Sequence, residues 1–254
     1  MNYKIVIPSY ERLNAFFKKT YTKIITNYQL ENVYVFVSCC DDLNEYKKKY
    51  PELNIILSPK GYGETINFIT EYFDMDTKYV LMGDDINRFT ICEGTKLKPV
   101  EDLNKVIIET FEIMEKEKCN LGGFYPTPNG LWCSKAIIQT TDLRFIHDAF
   151  CLIINKKILV NPNLMKIDFQ RTILYYQYDN KVLRRNRYSF STAFLKGKGG
   201  NQQERLMEKE KALEFYEEYK PYIRRLITHK SGSSSFLLNP TGKKININIL
   251  LYTK

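Results

Sequence analysis

Two kinds of apolar pattern alternate along the first half of the chain. Short unbroken runs of β-branched and aromatic residues are each followed by a stretch whose apolar positions recur every three or four residues, the spacing of one helix face. Lys4 to Ile7 is the first run and stops at Pro8; Leu13, Phe16, Phe17, Tyr21, Ile24 and Ile25 then mark a helix within Glu11 to Tyr28. Val33 to Ser38 is a second strand, followed by a lysine-laden helix from Asp41 to Tyr50, and Asn54 to Leu57 leads to a helix from Glu64 to Phe73. Lys78 to Met82 is a fourth strand, ending abruptly in Gly83-Asp84-Asp85. Continuous apolar runs suit strands covered on both faces, and their alternation with helices predicts an α/β fold with a mostly parallel, Rossmann-like sheet flanked by helices.

A long amphipathic helix from Glu101 to Lys118, with Leu103, Val106, Ile107, Phe111 and Met114 on one face, closes this half. Strands predominate after it: Leu121 to Tyr125, Leu131 to Thr140, Phe150 to Ile154 and a run around Val182 to Ser189, with a turn at Pro126-Thr127-Pro128-Asn129-Gly130. This second half reads as an α+β elaboration of the same sheet. A charged helix from Gln202 to Tyr219, a Gly/Ser loop at Ser231 to Ser235 and a strand-like tail from Ile245 to Tyr252 complete the chain. The expected organisation is one domain over residues 1–230, divided into halves 1–118 and 119–230, with a loop and tail at 231–254.

Composition narrows the classes. The 254 residues are 44% hydrophobic and 26% charged, which excludes a disordered or fibrous chain. The longest apolar run, Ala149 to Ile154, is far short of the roughly 18 residues of a membrane-spanning helix. The amino terminus enters a strand without a secretory apolar region, so a cytoplasmic location is expected. Six cysteines without a CxxC pair and only two histidines give no zinc spacing and suggest buried, reduced thiols. A net charge of +9 favours a polyanionic or phosphate-bearing partner.

The candidate chemistry sits at strand ends. Gly83-Asp84-Asp85-Ile86-Asn87 puts two carboxylates and an amide at the carboxyl end of a strand, where open α/β sheets bind ligands. Such oxygens suit Mg²⁺ or Mn²⁺ beside a diphosphate, and equally a turn or helix cap. Ser9, Tyr10 and Arg12 follow the first strand and offer a hydroxyl, a stacking face and a phosphate fork at a helix start. Lys60 and Gly61 lie in the turn after the third strand. Lys196, Lys198, Gly199 and Gly200 precede a helix and could cradle phosphate or form a surface loop. Arg184, Arg185 and Arg187, with Lys196 and Lys198, are interleaved with aromatics, a pattern that suits a nucleic-acid strand or a solvated face. The pair His147-Asp148 has no sequence neighbour to act with and reads as structural.

IPSYER after the first strand, VFVS at the second, KGYGETIN after the third and YVLMGDDIN at the fourth resemble nucleotide-sugar-dependent glycosyltransferases of the GT-A fold. Within that fold, IPSY together with GDDI is similar to the TET/JBP-associated glycosyltransferases, which act on hydroxymethylated pyrimidines in DNA. The resemblance covers roughly residues 3 to 205. It implies that Pro8, Ser9, Tyr10, Arg12 and Ser38 line the uridine side of a UDP-sugar pocket, with Lys60, Gly61 and Asn67 near the nucleotide and Gly199 and Gly200 near the diphosphate. It implies that Asp84, Asp85 and Asn87 stand at the Asp-x-Asp metal motif, whose last position here is Asn, for Mn²⁺ or Mg²⁺. Asp168 would be the general base, or alternatively a helix N-cap. The implied reaction moves glucose from UDP-glucose to a hydroxymethylated DNA base; a protein or glycan acceptor, or a non-catalytic nucleic-acid-binding module, are the alternatives.

Overall fold

The computed structural model describes residues 3–192, 208–229 and 234–241. Its centre is a mixed sheet in the order β3-β2-β1-β4-β9-β7-β10-β5-β6, with β8 added on β10. The first four strands, β1 (Lys4–Ser9), β2 (Val33–Val37), β3 (Asn54–Leu57) and β4 (Lys78–Met82), are all parallel. β1 lies between β2 and β4, so the strand order reverses beside it. The remaining strands are β5 (Ile86–Glu93), β6 (Lys96–Pro99), β7 (Leu121–Tyr125), β8 (Gln139–Thr140), β9 (Phe150–Ile154) and β10 (Leu183–Thr192). β9 runs antiparallel to both β4 and β7, which leaves β7 and its parallel neighbour β10 pointing the same way as β4.

The unbroken apolar runs have the cause inferred for them. Ile5, Ile7, Val80 and Met82 face a core shared with Phe16, Tyr46, Ile107 and Phe111, whereas Val6, Phe36, Tyr79 and Leu81 face one shared with Ile66, Ile69, Ile167 and Tyr175. On the first face lie α1 (Leu13–Phe16), a π-helix continuing it over Phe17–Thr26, α2 (Cys40–Lys49) and α4 (Leu103–Glu117). On the second lie α3 (Tyr62–Tyr72) and α6 (Ile167–Asp179). A third cluster joins Phe169 and Ile173 of α6 to α7 (Glu208–Tyr219) and to the hairpin of β11 (Ile223–Thr228) and β12 (Ser234–Leu238). No helix among the described residues is long and apolar enough to cross a membrane.

Three departures from the sequence pattern have local causes. The segment expected as a strand from Leu131 to Thr140 is mostly helix α5 (Gly130–Lys135), because Asn129 accepts the Trp132 amide at 3.1 Å and caps it; only Gln139–Thr140 is strand. The β5–β6 hairpin was not expected, since an edge pair carrying Arg88, Glu93, Lys96 and Lys98 has no continuous apolar run. The β11–β12 hairpin, in place of a plain loop near Ser234, was likewise not expected. The tail from Ile245 and the segment from Lys196 to Gly200 lie outside the described residues.

Candidate functional site

The carboxyl ends of β1, β3 and β4 and the start of β9 meet at the point where strand order reverses, the place where open α/β sheets form their crevice. The β4 end is the Gly83-Asp84-Asp85 turn. Thr20 of the π-helix holds it from beneath: its hydroxyl donates to the Gly83 carbonyl at 2.8 Å and accepts from the Ile86 amide at 2.9 Å. Both carboxylates are thereby fixed, and both are buried. The Arg12 guanidinium bridges them, with Nη1 3.0 Å from Asp84 Oδ1 and Nη2 2.9 Å from Asp85 Oδ2. Ser9 donates to Asp84 Oδ2 at 2.6 Å, so its other contact, Tyr46 Oη at 2.9 Å, must be the donor to Ser9. Burial pushes the Asp84 carboxyl up to about 6, against the opposing pull of Arg12 and Ser9, and burial pushes the Tyr46 phenol well above its ordinary range.

On the β1–β3 side, Lys60 Nζ stands 5.5 Å from the centre of the half-buried Tyr10 ring. Ser38 lies 3.2 Å from Ser58 Oγ and 3.4 Å from Thr65 Oγ1, a hydroxyl cluster between β2, β3 and α3. Gly61 starts α3 with φ +109°, a conformation that L side chains rarely adopt. Asn67, expected beside a nucleotide, is engaged elsewhere: it accepts from the Val160 amide and donates to the Val160 carbonyl, each at 2.8 Å. It clamps the loop ahead of α6. Asn87 does not join the two aspartates either; it lines a separate crevice of about 410 Å³ between the π-helix and β5–β6, because the chain enters β5 at Ile86.

The opposite wall comes from β9 and α6. The Gly83 amide donates to the Ala149 carbonyl at 2.8 Å, so His147 and Asp148 arrive beside the aspartate turn although they are more than sixty residues away in sequence. Asp148 is buried, forms an ion pair with Arg171 and accepts from Tyr62 Oη at 3.0 Å. His147 Nδ1 accepts from the Ala149 amide at 3.0 Å, which leaves Nε2 as the nitrogen that carries a proton in the neutral ring. Asp168 lies in the first turn of α6, not at its cap, which is Lys166; its Oδ1 accepts from the Phe169 amide at 2.9 Å. Burial raises the Asp168 carboxyl above the ordinary range, while His147 pulls it down and Asp148 adds to the rise. The sequence pattern had left His147 and Asp148 as structural, and it gave no reason to pick Thr20, Tyr46, Tyr62 or Arg171. The signal available for Asp148 was its position just before the apolar run of β9, the mirror of Asp84 after β4.

No family model matches the sequence, and none of the curated proteins searched matches it. Solved structures do. A mannosyltransferase from Pyrobaculum calidifontis, PcManGT, solved with GDP-Man and Mn²⁺, superposes with a TM-score of 0.55 at 10% identity over 85% of this chain and 62% of its own. Glucosyl-3-phosphoglycerate synthase from Mycobacterium tuberculosis, solved with Mn²⁺, UDP and glucosyl-3-phosphoglycerate, gives 0.52 at 7% identity over 94% of this chain and 87% of its own. TarS from S. aureus gives 0.50 at 12% identity over 85% of this chain and 40% of its own. This chain has the GT-A fold. It spans under two thirds of the mannosyltransferase and of TarS, and at these identities the likeness is one of fold.

In a GT-A crevice the two carboxylates fit a divalent cation. They are fixed and buried, and they already converge on one positive group, the Arg12 guanidinium. Among the described residues no set of three or more His, Cys, Asp and Glu side chains is arranged to hold a metal. The fit is therefore to a hard cation held by one or two carboxylates and completed by phosphate oxygens and water.

The basic stretch is not an exposed stripe over its described part. Arg184 lies over the Tyr125 ring at 5.1 Å and donates to Asn186 at 2.7 Å, and burial pulls it down to about 10. Arg185 turns to α4, donating to Thr110 Oγ1 at 3.0 Å, and Arg187 donates to the Cys133 carbonyl at 3.0 Å. Lys196, Lys198, Gly199 and Gly200 lie outside the described residues.

Proposed function

We propose that this chain is a nucleotide-sugar-dependent glycosyltransferase whose donor diphosphate meets a divalent cation, Mn²⁺ or Mg²⁺, at Asp84 and Asp85. One observation carries the reading: two buried carboxylates, fixed by Thr20, project at the reversal of strand order in a GT-A sheet and share one cationic partner. Tyr10 offers a face to the base, and Lys60 beside it a charge for the diphosphate. When bound, the cation stabilises the negative charge of the departing diphosphate. Asp168 accepts the proton of an acceptor hydroxyl; its burial keeps it more basic than a free carboxylate, and His147 nearby favours its charged form. The Asp148–Arg171 pair, joined by Tyr62, holds the β9 start against α6.

The donor is UDP-glucose and the acceptor a hydroxymethylated pyrimidine in DNA, a finer reading supported by the resemblance of IPSY and GDDI and by the net charge of +9. One observation favours a protein or glycan acceptor instead: Arg184, Arg185 and Arg187 are engaged by internal partners. Thermal unfolding with UDP, GDP and ADP, each with and without Mn²⁺, tests the donor site. Selective stabilisation by UDP with Mn²⁺ is expected, about 2.7 kcal/mol at a hundredfold excess over Kd. Absence of any nucleotide effect removes the glycosyltransferase reading. Transfer from UDP-glucose to hydroxymethylated DNA, lost in Asp85→Ala, and a steep salt dependence of DNA binding decide the acceptor.

A further inference from the structure

Arg12 is placed unlike a residue that waits for a ligand. Its guanidinium already spans Asp84 and Asp85 at 3.0 and 2.9 Å, and with Ser9 on Asp84 Oδ2 both oxygens of Asp84 and one of Asp85 are engaged. A guanidinium and a divalent cation set on the same two carboxylates repel each other and contend for the same lone pairs. Lys19 adds a second positive charge that favours the charged form of Asp84, while a third buried acid, Asp42, stands near Tyr46. The backbone beneath Arg12 is pinned: the Glu11 amide donates to Asp42 Oδ2 at 2.8 Å, and Glu11 holds φ +54°. The side chain is not enclosed, with 21% of its surface open to solvent against 7% and 12% for the two carboxylates. It can swing outward without moving the strand end.

We propose that Arg12 is an intramolecular counter-cation that competes with the divalent cation for Asp84 and Asp85, and that the donor diphosphate resolves the competition by accepting the displaced guanidinium. This rests on the donor-site reading above and adds its control: the empty site stays neutralised, and cation and donor diphosphate bind cooperatively. Arg12 is a positioning residue in this scheme. Two thermodynamic signatures follow from linkage. Removing Arg12 should tighten Mn²⁺ binding by the protein alone, because a competitor is gone. It should also weaken the effect of UDP on Mn²⁺ affinity, because the displaced group that UDP would receive is absent.

The experiment measures free Mn²⁺ by electron paramagnetic resonance in titrations of wild type, Arg12→Gln and Arg12→Lys, with and without UDP. In Arg12→Gln the Mn²⁺ affinity without UDP should rise on the order of tenfold, within the usual range of coupling between sites, and the gain from UDP should shrink. Arg12→Lys, which keeps a charge but has no fork to bridge both acids, should fall between, and it carries the test should Arg12→Gln not fold. Unchanged or weaker Mn²⁺ binding in the variants, with wild type still binding Mn²⁺ and UDP, overturns this inference and leaves the glycosyltransferase reading in place. Failure of wild type to bind either Mn²⁺ or UDP overturns both.

Discussion

Replacing Asp84 by Asn should change how the stability of the cation-free protein depends on pH. The Asp84 carboxyl is held at about 6 in the fold against an ordinary 3.8, with burial the main cause. A group that binds its proton more tightly when folded supports folding at low pH, and this support is lost as pH rises through the folded value. Between about pH 4 and pH 6, Asp84 should therefore remove about 3 kcal/mol of stability, at 1.36 kcal/mol for each tenfold change in proton affinity. The amide of the Asp84→Asn variant has no proton to lose, and Arg12 keeps Asp85 as a partner at 2.9 Å. Scanning calorimetry of both proteins in chelator at about pH 4.5 and 7.5, on either side of the folded value, measures the difference, in which carboxylates remote from Asp84 cancel and Asp85, coupled to it through Arg12, does not. The wild type should lose roughly 4 to 8 °C more in Tm than the variant across that interval, since pH 4.5 already lies above the ordinary 3.8 and about 2 of the 3 kcal/mol remain to be lost, taking 2 to 4 °C per kcal/mol for a chain of this size. Parallel pH profiles would show that burial does not govern Asp84, and the electrostatic description of the site would fall with it.

Thr20→Val should cost about 2 to 4 kcal/mol by urea denaturation, since it strips the Gly83 carbonyl and the Ile86 amide of their shared partner, and Mn²⁺ binding should weaken as the aspartate turn loosens. Asp148→Ala should cost about 3 to 5 kcal/mol, because it leaves the buried Arg171 guanidinium without its counter-charge; Arg171→Met added to it should recover part of the loss. Asp168→Asn should lower transfer by about 10² to 10⁴ while UDP affinity stays as in wild type, and the wild-type rate should climb with pH over a range above that of a free carboxylate, since burial raises Asp168. Equal loss of rate and of UDP binding would assign Asp168 to the donor pocket instead.

The order of residues was enough to reveal the parallel half of the molecule. Strands such as Lys78–Met82 and Val33–Val37 are buried on both faces, so nearly every position is apolar and the run announces itself; the helices between them show one apolar stripe. Asp84 and Asp85 were legible because a charge directly after such a run can only stand at a strand end. Asp168 was placed near a helix start by its neighbours, and the structure set it inside the first turn of α6. Where an element is half exposed, as in β5–β6, or begins at a side-chain cap, as at Asn129, the pattern carried no comparable mark.

Which of these strand ends meet, and what each polar side chain does there, followed from the closed sheet and from nothing earlier. The antiparallel turn of β9 into the sheet brings His147 and Asp148 beside Gly83, a contact between distant segments that no local pattern encodes. The same closure gives Asn67 to the Val160 backbone and gives Arg184, Arg185 and Arg187 partners within the fold, so residue types that suggested ligand contacts also hold the structure together. It sets Arg12 across two carboxylates that come from a different strand end. Burial periodicity is a property of neighbours along the chain and can be read there. Hydrogen-bond partners and proton affinities are fixed by whatever surrounds a group in three dimensions, and those surroundings exist only once the sheet has closed.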